Sequence, residues 1–149
     1  MSRCAQAGQV TWLGLRPARR ADMVRVDSCE VTLAGLDGDR AKTGKRAVTL
    51  IQAEHLSAIG AFLGRTSVEP ELLRRNIVVS GLNLSALKGC EVSIAGALVR
   101  ITGICAPCSR MEETFGHGGY SAVRGHGGWC AEVLEPGRIA LNDPVRPKV

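Results

Sequence analysis

The sequence predicts a mainly β, twisted barrel-like domain with two or three peripheral helices. Three observations carry this. Runs with strand character outnumber helical ones along the chain. The helical segments are too few to lie between successive strands, as a doubly wound parallel sheet requires. The length of 149 residues, 45% hydrophobic and 22% charged, suits one domain, since domains of roughly 100 to 150 residues bury about two thirds of their extended-chain surface. That balance excludes disorder or a coiled coil as a description of the whole. We expect one domain over 1–149, without linker or internal repeat.

The elements follow in order. Residues 10–15 and 23–26 read as short strands flanking a loop that carries Arg16, Arg19 and Arg20, and residues 29–33 make a third. Gly35-Leu-Asp-Gly-Asp-Arg40 and the residues to Arg46 are Gly-punctuated and charged, which reads as a functional loop. Residues 47–51 return to strand character. In 52–63, Leu56, Ile59 and Leu63 recur at helical spacing, with Gly64 placed to end the helix. A short helix is expected over 69–74, where Pro70 suits a first helical position. Residues 76–80 form a strand broken by Gly81. Residues 90–94 and 97–102 form a hairpin closed near Ala95-Gly96, with Arg100 and Thr102 on one face and Val99 and Ile101 on the other. Residues 103–128 hold seven glycines and little periodicity, and strands close the chain at 129–134 and 138–141.

Charge and cysteines bound the function. Nineteen basic residues against 14 acidic ones give +5, and 15 of the basic residues are arginine, the side chain whose planar fork matches phosphate and carboxylate. Nine basic and five acidic residues fall in the first 46. Nucleic-acid binding is disfavoured: no basic run exceeds two residues, and five aromatics offer little stacking surface. No apolar run resembles an export signal or a membrane span, so a cytoplasmic location with six free thiols is expected, and no membrane partner. Four of the six, Cys4, Cys29, Cys90 and Cys130, are expected in the core.

Four stretches can carry chemistry. Cys105-Ala-Pro-Cys108 allows a redox dithiol, half a zinc site or two buried small thiols. Arg110, two residues on, favours a thiolate able to hold a soft metal. The Gly35–Arg40 loop presents glycine backbone and Arg40, which can fork onto a phosphate or hold Asp37 or Asp39; it lacks the spacing of a Walker or calcium loop. Arg74-Arg75-Asn76, at a helix-to-strand junction, suits either a phosphate or a helix C-terminus. The Gly-rich segment 116–130 groups His117, Tyr120, Arg124 and His126. His55 lies on a packing helix and is read as structural. No Gly-x-Ser-x-Gly elbow supports a triad hydrolase.

Quoted in order, Gly35-Leu-Asp-Gly-Asp-Arg, Val48-Thr-Leu-Ile-Gln-Ala-Glu-His-Leu, Leu72-Leu-Arg-Arg-Asn-Ile-Val-Val-Ser-Gly, Cys105-Ala-Pro-Cys-Ser-Arg-Met-Glu, Gly118-Gly-Tyr-Ser-Ala-Val-Arg-Gly-His-Gly-Gly and Gly137-Arg-Ile-Ala-Leu-Asn-Asp-Pro-Val resemble segments of the MOSC domain, named for the C-terminal part of molybdenum-cofactor sulfurase. The resemblance covers about 20–146. It implies a β-barrel-like fold and a cofactor of the molybdopterin type, with no zinc. The family's Pro-Cys position falls on Pro107-Cys108, making Cys108 the thiolate ligand to molybdenum and Cys105 its alternate. Arg40, Arg74, Asn76, Arg110, Tyr120, Arg124 and His126 are the implied cofactor-binding residues. Two departures stand out: Arg75 replaces a proline found in relatives, and Ala41 stands where some relatives carry histidine. The implied activity is oxidoreductase chemistry on a small N-hydroxylated substrate, the alternatives being a sulfur or cofactor carrier and a Cys105–Cys108 redox dithiol. Pyridoxal phosphate enters only as a family-level association. The larger relatives' extra domains do not fit in this length, so electrons or sulfur are expected from a cofactor donor or electron-transfer protein.

Overall fold

Residues 7–18, 22–40, 43–62, 64, 74–104 and 128–148 are described by the computed structural model. Among them, Gly8–Leu15 (β1), Val48–Gln52 (β5), Ile77–Ser80 (β6), Glu91–Ile94 (β7), Ala97–Ile104 (β8), Trp129–Glu135 (β9) and Pro144–Pro147 (β11) close into a seven-stranded barrel. The order around it is β1, β11, β7, β8, β9, β5, β6 and back to β1. Closure leaves the barrel no open edge. Val24–Arg25 (β2) extends it by pairing with the C-terminal half of β1, whose N-terminal half pairs with β11. A separate small sheet holds Ser28–Thr32 (β3) between Gly35–Leu36 (β4) and Gly137–Ala140 (β10).

The alternation of apolar and polar residues produces these strands. In β7, Val92 and Ile94 are buried while Glu91 and Ser93 are partly exposed; in β8, Val99 and Ile101 are buried while Arg100 and Thr102 are not. Their shared hairpin turns at Ala95, whose φ is 50°, as expected near Ala95-Gly96. On the outer surface Arg100 bridges Glu91 at 3.3 Å and Glu132 at 3.1 Å, its opposite neighbours on β7 and β9. β5 is different, buried along its whole length. Val48 and Leu50 join the barrel core, and Ile51 lies on the other face with Ile59 of the helix Ala53–Phe62 (α1) also fully buried. β5 and β6 are the parallel pair, which needs a crossover, and α1 stands in it.

Three features differ from the sequence expectation. Pro144–Pro147, beyond the strands expected at the end of the chain, is the strand that closes the barrel between β1 and β7. Gly35–Leu36, read as loop, is a two-residue strand whose Leu36 is 2% exposed and joins the core. Leu84–Leu87, read as a break after β6, is a 3-10 helix capped by Asn83, whose side chain accepts from the Ser85 amide. Its Leu84 and Leu87 enter the core cluster, held by Gln52, which accepts from the Leu84 amide at 2.9 Å. The helix expected over 69–74 lies outside the described residues, apart from Arg74, so α1 and this 3-10 helix are the helices seen among them. Val31, Leu36 and Ile139 of the small sheet belong to the same core cluster as the barrel's Leu13, Leu50 and Ile101.

Candidate functional site

β1 ends at Leu15 and the chain continues as Arg16-Pro17-Ala18. Proline fixes its own φ and keeps the preceding residue extended, so the segment is stiff. It meets the Gly38-Asp39-Arg40 turn, in which Gly38 takes a φ of 91°. The Asp39 carboxylate accepts from the Arg16 backbone amide at 2.6 Å, from Nε at 3.1 Å and, through Oδ2, from Nη2 at 2.9 Å. Its side chain has no exposed surface, and that of Arg16 only 15%. The geometry is a two-point fork reinforced by a backbone donor.

Asn76, the residue before β6, completes the arrangement and is 0% exposed. Its Nδ2 donates to Asp39 Oδ1 at 3.2 Å and to the Gly14 carbonyl at 3.0 Å. Its Oδ1 accepts from the Thr49 amide and hydroxyl, each at 3.1 Å, and from Arg16 Nη2 at 3.3 Å. Both N–H groups and the carbonyl are thus engaged within the protein. Gly14 has no side chain, and the Trp12 ring occupies the space a Cβ would take. Burial pushes the Asp39 carboxyl up, but the Arg16 fork, its amide and its charge, with the Asn76 amide, outweigh this and leave it below its ordinary value.

Two of the candidate arginines, those among the described residues, hang on this network. Arg40 is exposed, and its backbone amide donates to the Arg16 carbonyl at 2.9 Å. Arg74 is half-buried and left-handed, with φ 58°, and its Nη2 donates to the Ala18 carbonyl at 3.3 Å. A non-glycine residue held there costs on the order of 1 kcal/mol, and such outliers gather at functional sites. Arg75 is 8% exposed.

The structure thus brings Arg40, Arg74 and Asn76 together. Cys105, Cys108, Arg110, His117, Tyr120, Arg124 and His126 lie outside the described residues. The ends of their segment are fixed. Ile104 pairs with Trp129, and Trp129 with Leu50, one residue along β5 from Thr49. Gly128 takes a φ of 102° and packs so closely on the Leu50 carbonyl that no Cβ fits. Among the described residues no group of three or more His, Cys, Asp or Glu side chains could hold a metal.

Sequence reasoning missed Arg16 and Thr49 as members of the site. It offers Arg40 as a holder of Asp39, whereas Arg16, 23 residues away, supplies the fork. The Arg-Pro at a strand end was the available signal. Of the described cysteines, Cys130 is buried and Cys29 half-buried, its thiol pushed up to about 11, chiefly by burial. Cys90 is exposed, which corrects its assignment to the core: it follows the 3-10 helix in the turn before β7. Cys4 lies outside the described residues. His55 sits half-buried on α1. A groove of about 430 Å³ at the β1–β11 seam, lined by Gln9, Ser80, Asn142 and Arg146 among others, contains none of the expected site residues. No helix among the described residues is long and apolar enough to cross a membrane.

The model of the MOSC domain matches residues 31–146. No curated protein matches the sequence significantly. Among solved structures, the YUAD protein of Bacillus subtilis superposes with a TM-score of 0.83 at 17% identity, over 95% of this chain and 96% of that one. YiiM from Escherichia coli gives 0.71 at 21% identity, over 95% and 70%. YiiM from Geobacillus stearothermophilus gives 0.77 at 18% identity, over 95% and 75%. At these identities the likeness is one of fold.

Proposed function

The chain belongs to the MOSC domain family, and from that membership we propose that it binds a molybdenum cofactor of the molybdopterin type and serves as a cofactor-dependent oxidoreductase. The observation that carries the reading is the buried Asp39–Arg16–Asn76 network, which ties together the loops bearing Arg40 and Arg74. The phosphate of such a cofactor calls for guanidinium forks on a fixed frame. Arg74 supports this role, because a left-handed position favours glycine and arginine stands there instead.

Cys108 is the proposed thiolate ligand, with Cys105 as its alternate; a soft metal already held by sulfur accepts a further thiolate. Arg110, Tyr120, Arg124 and His126 are the proposed contacts from the segment between Ile104 and Gly128. When bound, the cofactor would supply two-electron oxygen-atom exchange with an N-hydroxylated substrate. The chain's own residues would ligate the metal, neutralise the phosphate and set the polarity around it. Electrons or sulfur would come from a partner protein.

Protein made in a host that synthesises the cofactor tests this reading. Molybdenum by elemental analysis and pterin by fluorescence should co-purify with the chain. Zinc in their place, or neither, contradicts the assignment. Alkylation mass spectrometry separates the dithiol alternative: a Cys105–Cys108 disulfide in metal-free active protein would favour it.

A further inference from the structure

Of the arginines assigned to the cofactor, the two among the described residues, Arg40 and Arg74, are tethered to one short segment, Arg16-Pro17-Ala18. The Arg40 amide donates to the Arg16 carbonyl at 2.9 Å, and Arg74 Nη2 donates to the Ala18 carbonyl at 3.3 Å. The segment is fixed from its other side, since Arg16 spends its amide, Nε and Nη2 on Asp39 and Asn76. Asp39 follows Gly38 and precedes Arg40, so the carboxylate that holds Arg16 also sets where Arg40 begins.

We infer that Arg16 and Asp39 are the positioning pair of the site: their fork fixes the Arg16–Ala18 segment, and the segment fixes Arg40 and Arg74. The functional half of this inference rests on the cofactor reading. Arg16 is poorly placed as a ligand contact itself, because its guanidinium is largely buried and engaged with Asp39 and Asn76. What the site needs from it is the planar fork, not the charge. Lysine would keep the charge and lose the parallel pair of hydrogen bonds.

The test uses the full chain and two variants. Arg16→Lys keeps both charges and breaks the fork. Pro17→Gly, at an exposed position, keeps the fork and loosens the segment, and it serves where Arg16→Lys fails to fold. Two quantities are read: amide hydrogen exchange at Arg40 by NMR, and molybdenum plus pterin retained through gel filtration. Both variants should speed Arg40 exchange, Arg16→Lys roughly tenfold, the scale of one lost hydrogen bond, with the β7–β8 hairpin unchanged. Cofactor retention should fall in the same order. Wild-type exchange at Arg40 in both variants overturns the inference, and so does full retention despite faster exchange. A wild-type chain that retains no pterin overturns the cofactor reading instead, and the Arg40 exchange ratio then decides alone whether the pair fixes the loop.

Discussion

At the scale of single residues, Asp39 is the buried charge at the centre of the site's network. It is a carboxylate with no exposed side-chain surface, held by a fork, a backbone amide and an asparagine. Removing one partner of such a pair strands a buried charge, at a cost of about 3 kcal/mol or more. Because the carboxyl lies below its ordinary 3.8 when folded, the pair's stabilisation is complete above about pH 4 and drains away as pH falls through the lowered value. Asp39→Asn should therefore lower the melting temperature at neutral pH and flatten the acid limb of the stability profile; an unchanged acid limb would contradict the assignment. The thiols give a second contrast. Cys29 is half-buried with its thiol at about 11, roughly a hundredfold less thiolate than an ordinary cysteine, whereas Cys90 is exposed. Iodoacetamide at about pH 8, near the ordinary thiol value, should label Cys90 first among the described cysteines, read by peptide mass spectrometry.

At the scale of elements, local pattern and outcome agree wherever alternation is strict. β7 and β8 were legible because valine and isoleucine alternate with Glu91, Ser93 and Arg100. The 3-10 helix was not, because Leu84 and Leu87 acquire meaning only once the barrel presents a core for them to enter. Nor was β4, since two residues inside a charged, glycine-punctuated loop carry no periodicity. The candidate site was legible as residue types and not as contacts. Arg74 and Asn76 could be picked out at a junction, but the tie from Asp39 back to Arg16 crosses 23 positions and leaves no local trace. Gly128 carries the clearest backbone requirement next to the site: its φ of 102° and its contact with the Leu50 carbonyl exclude a side chain. Gly128→Ala should destabilise by more than about 2 kcal/mol, seen as a lower urea midpoint. Gly103, on β8, is the control: nothing lies within 4 Å of its Cβ position, and alanine there should leave the midpoint near wild type. Equal midpoints in the two variants would contradict the close approach at Gly128.

At the scale of the whole molecule, closure of seven strands makes one core cluster that the small sheet and the 3-10 helix share. The described arginines include two distinct groups. Arg100 and Arg138 pair with glutamates on the outer strand faces, Arg138 with Glu30 at 3.1 Å. Arg16, Arg40 and Arg74 are instead joined through one network. Arg74→Ala should therefore weaken cofactor retention at least several-fold, with Arg138→Ala near wild type; equal losses would mean that the proposal rests on overall charge alone. On the proposed function, this barrel holds a molybdenum cofactor through Cys108. The most direct measurement is the molybdenum and pterin content of wild-type protein and Cys108→Ser purified side by side from a cofactor-competent host. Both groups are expected in the wild type, with loss of molybdenum in the variant and the fold unchanged by circular dichroism. A wild type free of both, or equal molybdenum in the two proteins, would contradict it.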